Sequence, residues 1–360
     1  MFAKFFKFPS MVSCFSNDFT LATDKIISYE YTKRWSKSGN FTLVFSFDKE
    51  ILNALKLNGI ICFDNDWLWI QNISYDGKQI SVTGKDTKAF LETRVVLPDD
   101  TGFEGYSSVE GTTAECIKNY LDKNCISPID ENRRLPIIFK GGANGLSNDH
   151  YMTRFEYLSD VVTNLCDNAY IGFDIRGRLA SKGFEFITLK GANRSFNQSN
   201  SNSNRVILSA KWGNILSQQF EHGVDNLLNA IYGTDSNNYS RLVQTSANGL
   251  SRRECNISVS VSTTDTWFEK YALNEVKDNI ETHSFEIAVP FGDYGQDYIL
   301  GDTVTVKDDF TGDLYNRKIT EVTKNYSNGQ KNISLVLGQQ KQKPFQKIVN
   351  NLLNQTQKRR

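Results

Sequence analysis

The sequence predicts a mainly β protein with α+β insertions: two related small β-barrel-like domains plus inserted α/β domains. Three observations predict it. Apolar and polar residues alternate through much of the chain at the period-two spacing of half-buried strands. Two dipeptides that tolerate positive φ, Asp76-Gly77 and Asn328-Gly329, punctuate these runs as hairpin turns. Finally, residues 57–84 and 298–338 read as near-copies of one three-strand unit.

The later copy reads Y-I-L-G-D-T-V-T-V, the turn D-D-F-T-G-D, L-Y-N-R-K-I-T-E-V-T, the turn S-N-G-Q, and I-S-L-V-L-G. Val304 and Val306 alternate there with Thr303, Thr305 and Lys307. The earlier copy reads L-N-G-I-I-C-F, D-N-D, W-L-W-I-Q-N-I-S-Y, D-G-K, and I-S-V-T-G. The copies share an entry glycine (Gly59, Gly301), an Ile-centred second strand (Ile73, Ile319) and a closing glycine (Gly84, Gly338). Two independent meanders of a common type are one explanation. An internal duplication, with other material inserted between the copies, is the sharper one.

Taken in order, residues 24–47 alternate and are aromatic, which predicts two strands around a turn at 37–40. Residues 49–57 and 85–93 read as short helical connections. This first β domain spans residues 1–97. After Pro98 the pattern changes to an inserted α+β domain, residues 98–204. Thr112 and Glu115 form a capping box ahead of Ile117, Tyr120 and Leu121 at helical spacing. Thr153 and Glu156 repeat that signal before Leu158, Val161, Val162 and Leu165. Between the helices lie an extended segment at 134–139 and a glycine loop at 141–145, and a hairpin follows at 170–175 and 184–189. Residues 196–204 are too polar to pack and read as a connector. The second β domain takes residues 205–232 and 285–340. An inserted strand–helix domain covers residues 233–284, with a third capped helix from Thr266. The tail, 341–360, places Phe345, Ile348, Val349, Leu352 and Leu353 on one helical face before a basic end. It fits a frayed terminal helix or a docking peptide for a partner.

Bulk properties exclude several classes. With 360 residues, two to four compact units are expected. The 41 basic and 41 acidic residues balance, so no general field draws nucleic acid or an anionic membrane. The six cysteines are scattered without CxxC spacing, which argues against zinc and for buried free thiols. No window approaches the ~20 apolar residues of a membrane span. The N-terminal ten residues are broken by Lys4, Lys7 and Pro9 and lack a secretory signal's apolar core.

Catalytic, cofactor-binding and metal-binding signatures are absent: there is no GxSxG, GxxxxGK[ST], HExxH or GxGxxG. The glycines at 141–145 lack the Lys-Ser/Thr exit of a phosphate cradle. Asp308 to Asp313 lack the carboxylate spacing of a calcium loop, so a solvated turn is expected. His150 beside Asp149 has no nucleophile motif to serve, and reads as a surface histidine. The pairs Asp64/Asp66 and Asp99/Asp100 fit turns, where Asp bonds locally.

Seven segments resemble the siphophage tail baseplate-hub family: the Gp37-like proteins and the N-terminal structural part of tail-associated lysins, with a T4 gp27-like fold. They are V-T-G-K-D-T-K-A-F-L-E-T-R-V-V, R-R-L-P-I-I, G-A-N-R-S, N-I-L-S-Q-Q-F, N-A-I-Y-G, G-L-S-R-R-E and D-Y-I-L-G-D-T-V-T-V, in the family's order. Asn193 stands where the family pattern has an acidic residue, which puts an ion pair there in question. No peptidase or muramidase module is expected, so lysin activity is not carried over. The resemblance implies a non-enzymatic virion protein at the phage tail tip, assembled in the host cytoplasm. It implies a homotrimer whose six β domains form a pseudo-sixfold ring around a DNA channel. The implied partners are a distal tail protein hexamer, the tape measure protein and receptor-binding or tail-fibre proteins. Two other classes stay open. A cell-wall hydrolase needs a converging carboxylate or Cys/His pair. A carbohydrate-binding module is suggested by 5 Trp, 15 Tyr and 24 Phe, although Phe41, Phe45, Phe47, Trp67 and Trp69 sit at strand spacing, where core burial is the ordinary explanation.

Overall fold

The computed structural model describes residues 3–6, 21–99, 102, 105–178, 183–199, 204–225, 227–234, 240–244, 247–258 and 282–338. Two compact units divide the chain: residues 1–218 with 286–337, and residues 219–285 with 338–360.

The first module is built from β1 (Ala3–Phe6), β2 (Leu21–Thr23), β3 (Ile26–Arg34), β4 (Asn40–Ser46), β5 (Ile60–Phe63), β6 (Asp66–Tyr75) and β7 (Gln79–Asp86), with helix α1 (Lys49–Ala54) between β4 and β5. Strict alternation on β4 turns Phe41, Leu43 and Phe45 to one face. There they meet Ile61, Leu68, Ile70, Ile80 and Val82, and each such side chain contributes about 1.5–3 kcal/mol when fully buried. The Asp48 carboxylate accepts the Glu50 N–H and caps α1.

The insertion contains β8 (Ser107–Gly111), α2 (Thr113–Leu121), β9 (Ile137–Gly142), β10 (Asp149–Thr153), α3 (Leu158–Asn168), β11 (Gly172–Arg178) and β12 (Gly183–Leu189). Strands run in the order β11-β12-β9, with β9 parallel to β12, while β8 and β10 form a separate pair. Both helices bury an apolar face against these sheets, and Tyr120, Leu121, Leu165 and Phe186 are fully enclosed. The capping box of Thr112 and Glu115 forms as its sequence predicts. That expected from Thr153 does not. Thr153 is the buried last residue of β10, opposite Ser107, and α3 starts only after Tyr157, which gives no side-chain cap. The predicted glycine loop also begins later, because Gly141 and Gly142 extend β9 alongside Ile187 and Thr188.

The rest of the chain forms β13 (Ile207–Leu208), β14 (Ser217–Gly223), β15 (Ala230–Thr234), β16 (Ser240–Gln244), β17 (Glu254–Ser258), β18 (Thr282–Val289), β19 (Thr303–Lys307), β20 (Leu314–Ser327) and β21 (Gln330–Gly338). In the second unit, β15 pairs with β16 antiparallel and with β17 parallel, and Phe220 stacks on Phe285 at 4.6 Å. The helix expected from Thr266 and the amphipathic tail lie outside the described residues.

One 13-stranded sheet runs β14-β18-β21-β20-β3-β4-β7-β6-β5-β1-β2, with β19 beside β20 and β13 beside β19. It contains the same five-strand order twice. β3-β4-β7-β6-β5 in the first module matches β14-β18-β21-β20-β19 in the second. Both modules are open sheets among the described strands, so the mainly β class holds without a closed barrel.

The register of the two copies is finer than their sequences suggest. Ile70 donates to Gly59 O and accepts from Asn58 N; Ile319 donates to Asp302 O and accepts from Gly301 N. A bulge follows each isoleucine, at Gln71 and at Thr320. Ile70 is therefore the counterpart of Ile319, not Ile73, and Asn58 is the counterpart of Gly301, not Gly59. Both entry residues are left-handed, at φ 62° and 93°. The expected match of Gly84 with Gly338 also slips by one: Gly84 faces Ile70 as Leu337 faces Ile319.

Candidate functional site: the joint between the modules

The two modules share an edge. Residues 321–326 of β20 pair antiparallel with residues 29–34 of β3. Across the seam the Thr32 and Thr323 hydroxyls meet at 2.9 Å, and the Arg34 Nε donates to Glu321 at 2.5 Å. The Lys324 amine reaches Asp64 at 3.0 Å, and Tyr29 stacks on Tyr326.

Trp35 closes one end of this seam. Its N–H donates to Thr320 O and its carbonyl accepts from Phe173 N, so one residue ties both modules to the insertion. Its ring lies so near two glycines that a Cβ at Gly301 would stand 2.1 Å from it, and one at Gly172 2.4 Å. Gly301 also takes φ 93°, where only glycine is unstrained.

Beside the seam, charges from β3, β6, β7 and β11 converge. The Lys33 amine bridges Asp66 at 2.6 Å and Asp174 at 3.0 Å, and Arg176 Nε reaches Asp174 at 3.1 Å. Burial opposes the Lys33 charge, but Asp174 and Asp66 outweigh it and raise its pKa. Burial likewise opposes charge on Asp174, but Lys33, Lys88 and Arg176 outweigh it and hold the carboxyl below its ordinary value. Deeper in, the Asp86 carboxylate accepts the Gly39 and Lys88 N–H groups, and the buried Lys88 amine donates to Arg34 O. Thr87 donates its hydroxyl to Ile175 O, fastening the turn that follows β7 to β11. A cavity of about 20 Å³, the size of one water, lies among Tyr31, Lys33, Asp66, Asp86 and Asp174.

Burial pushes the Asp86 carboxyl up to about 6, against the pull of Lys88. A carboxyl whose pKa rises on folding adds stability below its ordinary value near 3.8, and that contribution is lost as pH rises through about 6. The parent protein therefore gains stability over Asp86→Asn when the pH falls from 7 to 5. The measurement is the difference between their urea midpoints at the two pH values; an unchanged difference contradicts the placement of Asp86.

Six of the seven sequence segments meet here and elsewhere in pairs. Arg94 Nε, from the first, donates to Arg133 O in the second, while Arg133 donates to Val95 O. Arg194 of G-A-N-R-S pairs with the buried Asp302 of D-Y-I-L-G-D-T at 2.7 Å, and Asp302 also accepts Ala192 N. Asn193 is neutral and brings no charge to Arg194, whose carboxylate partner is Asp302. Asn193 instead accepts the Ser195 N–H in a local turn. Asn229 of N-A-I-Y-G donates to Ser251 O and accepts from Arg253 N, both in G-L-S-R-R-E. Asn214 of N-I-L-S-Q-Q-F binds Ser209 N and Ile207 O. These segments are joints of the fold.

The other candidates are also tied into structure. His150 Nε2 lies 3.2 Å from Ser108 Oγ, and Asp149 accepts from Thr113. Asp308 accepts from Phe310 N and the Thr311 hydroxyl, and Asp309 accepts from Ser209 and Lys211 N. Asp99 holds Lys123 and Ser107, while Asp100 is outside the described residues. Asp64 occupies a turn as expected, but Asp66 does not: it opens β6 and meets Lys33. Cys116, Cys125 and Cys166 are buried, and burial pushes the first two thiols up to about 12, so they stay protonated and unreactive. Cys62 and Cys255 are only partly buried. Phe41 and Phe45 are in the core, and Trp69 and Trp67 pack edge-on against Phe90 and Phe184. No helix among the described residues is long and apolar enough to cross a membrane.

Comparison with known proteins fits this architecture. The 43 kDa tail protein of prophage MuSo2 from Shewanella oneidensis is similar over 88% of this chain and 94% of its own, with TM-score 0.57 and 14% identity. A tail protein from Neisseria meningitidis MC58 is similar over 89% and 94%, with TM-score 0.54 and 15% identity. Prophage tail protein gp18 from Listeria monocytogenes EGD-e is similar over 93% and 95%, with TM-score 0.54 and 11% identity. At such identities the likeness shows a common fold. No curated protein sequence matches the chain. A family model, described as Siphovirus ReqiPepy6 Gp37-like protein, matches residues 18–339. With that match over most of its length, the chain belongs to the family of siphovirus Gp37-like proteins.

Proposed function

We propose that this chain is the structural hub of a phage tail tip, a trimeric adaptor between a hexameric tail tube or distal tail protein and the tip. The observation that carries this reading is the repeated five-strand module, joined edge to edge through β3 and β20. A β20-to-β3 joint is heterologous: different surfaces meet. Repeated with a closing rotation it makes a ring, and three chains supply six modules. Such a ring matches a sixfold tube on one side, while the insertions offer threefold symmetry to the tip, the tape measure protein and receptor-binding proteins. The ring encloses the channel through which DNA leaves, so the virion tail tip is the site of action and turnover is not part of the role. The domain assignment that follows gives residues 1–97 and the second β domain, 205–232 with 285–340, to the ring.

Light scattering on the purified protein tests this reading. The expected mass is three chains of 40.9 kDa each. A strictly monomeric protein at high concentration contradicts it. Zymography on bacterial cell walls is expected to show no clearing; lysis by the isolated chain overturns the structural role in favour of hydrolysis.

A further inference from the structure

The joint inside one chain has an unfilled counterpart. In the second module, β20 runs past its pairing with β19, and its overhanging edge is covered by β3 of the first module. In the first module β6 does the same. It pairs with β5 only as far as Trp69 and continues to Tyr75, with β7 on its other side. Among the described strands nothing lies along the outer edge of residues 71–75. Gln71, Asn72, Ser74 and Tyr75 are exposed, Tyr75 at 61%, whereas their counterparts Thr320, Glu321, Thr323 and Lys324 are half-buried under β3.

The composition of this edge is informative as well. Residues 71–75 read Q-N-I-S-Y, without the lysine, proline or inward charge by which exposed edge strands usually resist pairing. A flat, uncharged overhang is a template for strand addition. The strand that fits is the counterpart of β3, which is β14, the last strand in the sheet order. Phe220 on β14 stacks against Phe285 on β18, as Tyr31 on β3 stands opposite Phe41 on β4. In one chain β14 and β6 stand far apart in the strand order, with six strands between them.

We propose that the outer edge of β6 at residues 71–75 pairs antiparallel with β14 of a second copy of this chain, repeating between chains the β20–β3 joint within one. This rests on the trimeric-ring reading and names the surface that closes it. The contact is heterologous, so every copy donates one β6 edge and one β14 edge, and the ring closes when each is used once. Thr323 faces Thr32 in the internal joint, and the copy register places Ser74 where Thr323 stands. With Phe220 in the place of Tyr31, Glu221 takes that of Thr32.

Disulfide trapping tests the pairing. The double variant Ser74→Cys/Glu221→Cys is oxidised and run on a denaturing, non-reducing gel. Covalent dimers and closed trimers are expected from it, and neither from the single variants. Thr32→Cys/Thr323→Cys is the positive control and links only within a chain. If light scattering finds a trimer and the control links, yet Ser74→Cys links to none of cysteines placed at 220, 221 or 222, the proposal is overturned while the trimer stands. A monomer overturns both. On the unsubstituted trimer, amide exchange at residues 71–75 is expected to be as slow as at residues 320–324; fast exchange confined to 71–75 overturns the proposal without any substitution.

Discussion

Replacing Asp174 with alanine is expected to destabilise the protein by about 3–5 kcal/mol, the range for removing one partner of a buried ion pair. The carboxylate is almost completely enclosed and holds both Lys33 and Arg176. Without it, the Lys33 ammonium keeps only Asp66 in a site already costly for charge. The loss is read from urea midpoints with the slope held common. The combined variant Lys33→Met/Asp174→Leu is expected to lose less than the two single changes added together, because it removes the charge as well as its partner. Additive losses, or a loss for Asp174→Ala under about 1 kcal/mol as at exposed pairs, contradict the buried network.

The second large effect comes from a glycine. Gly301→Val places a branched side chain at φ 93° and drives its Cβ onto the Trp35 ring. Left-handed backbone costs about 1–2 kcal/mol for a residue with a Cβ, and overpacking adds about 1–3. A loss of about 3 kcal/mol or more in thermal or urea unfolding is therefore expected. Trp35→Ala in the same chain relieves the clash but not the backbone cost, so it recovers part of the loss relative to additivity. Gly312→Ala is the comparison: it has φ 86° but open space around it, so it isolates the backbone contribution. Equal losses at the two glycines contradict the role given to Trp35.

The duplication was legible because its signals are local. Asp76-Gly77 and Asn328-Gly329 mark the turns, and period-two alternation marks the strands on either side. The register was not. Across each bulge a second apolar residue follows three positions on, Ile73 after Ile70 and Val322 after Ile319, so composition alone did not tell which isoleucine answers Ile319. The left-handed entry residue is asparagine in one copy and glycine in the other; matching glycine to glycine shifted the alignment by one. The false cap at Thr153 has a similar origin, since a Thr-x-x-Glu pattern at a strand end satisfies the motif while the threonine is committed to the sheet.

The charged joint was hidden for a different reason. Lys33, Asp66 and Asp174 lie far apart in sequence; Lys33 and Asp174 sit in runs that read as strands, and Asp66 in one that reads as a turn. Only the packing of the insertion on β3 and β6 brings them together. The seven family segments were visible as strings, but their purpose was not, since Arg94 with Arg133, and Arg194 with Asp302, become partners only in three dimensions.

Direct imaging of the purified assembly by electron cryomicroscopy is the most direct test of the central claim. Three chains are expected to form one annulus of six similar five-stranded densities, with β20–β3 seams within chains alternating with β6–β14 seams between them. An annulus built from one module per chain, or modules that sit at different radii, contradicts the claim that the repeated module exists to make a sixfold ring from three polypeptides.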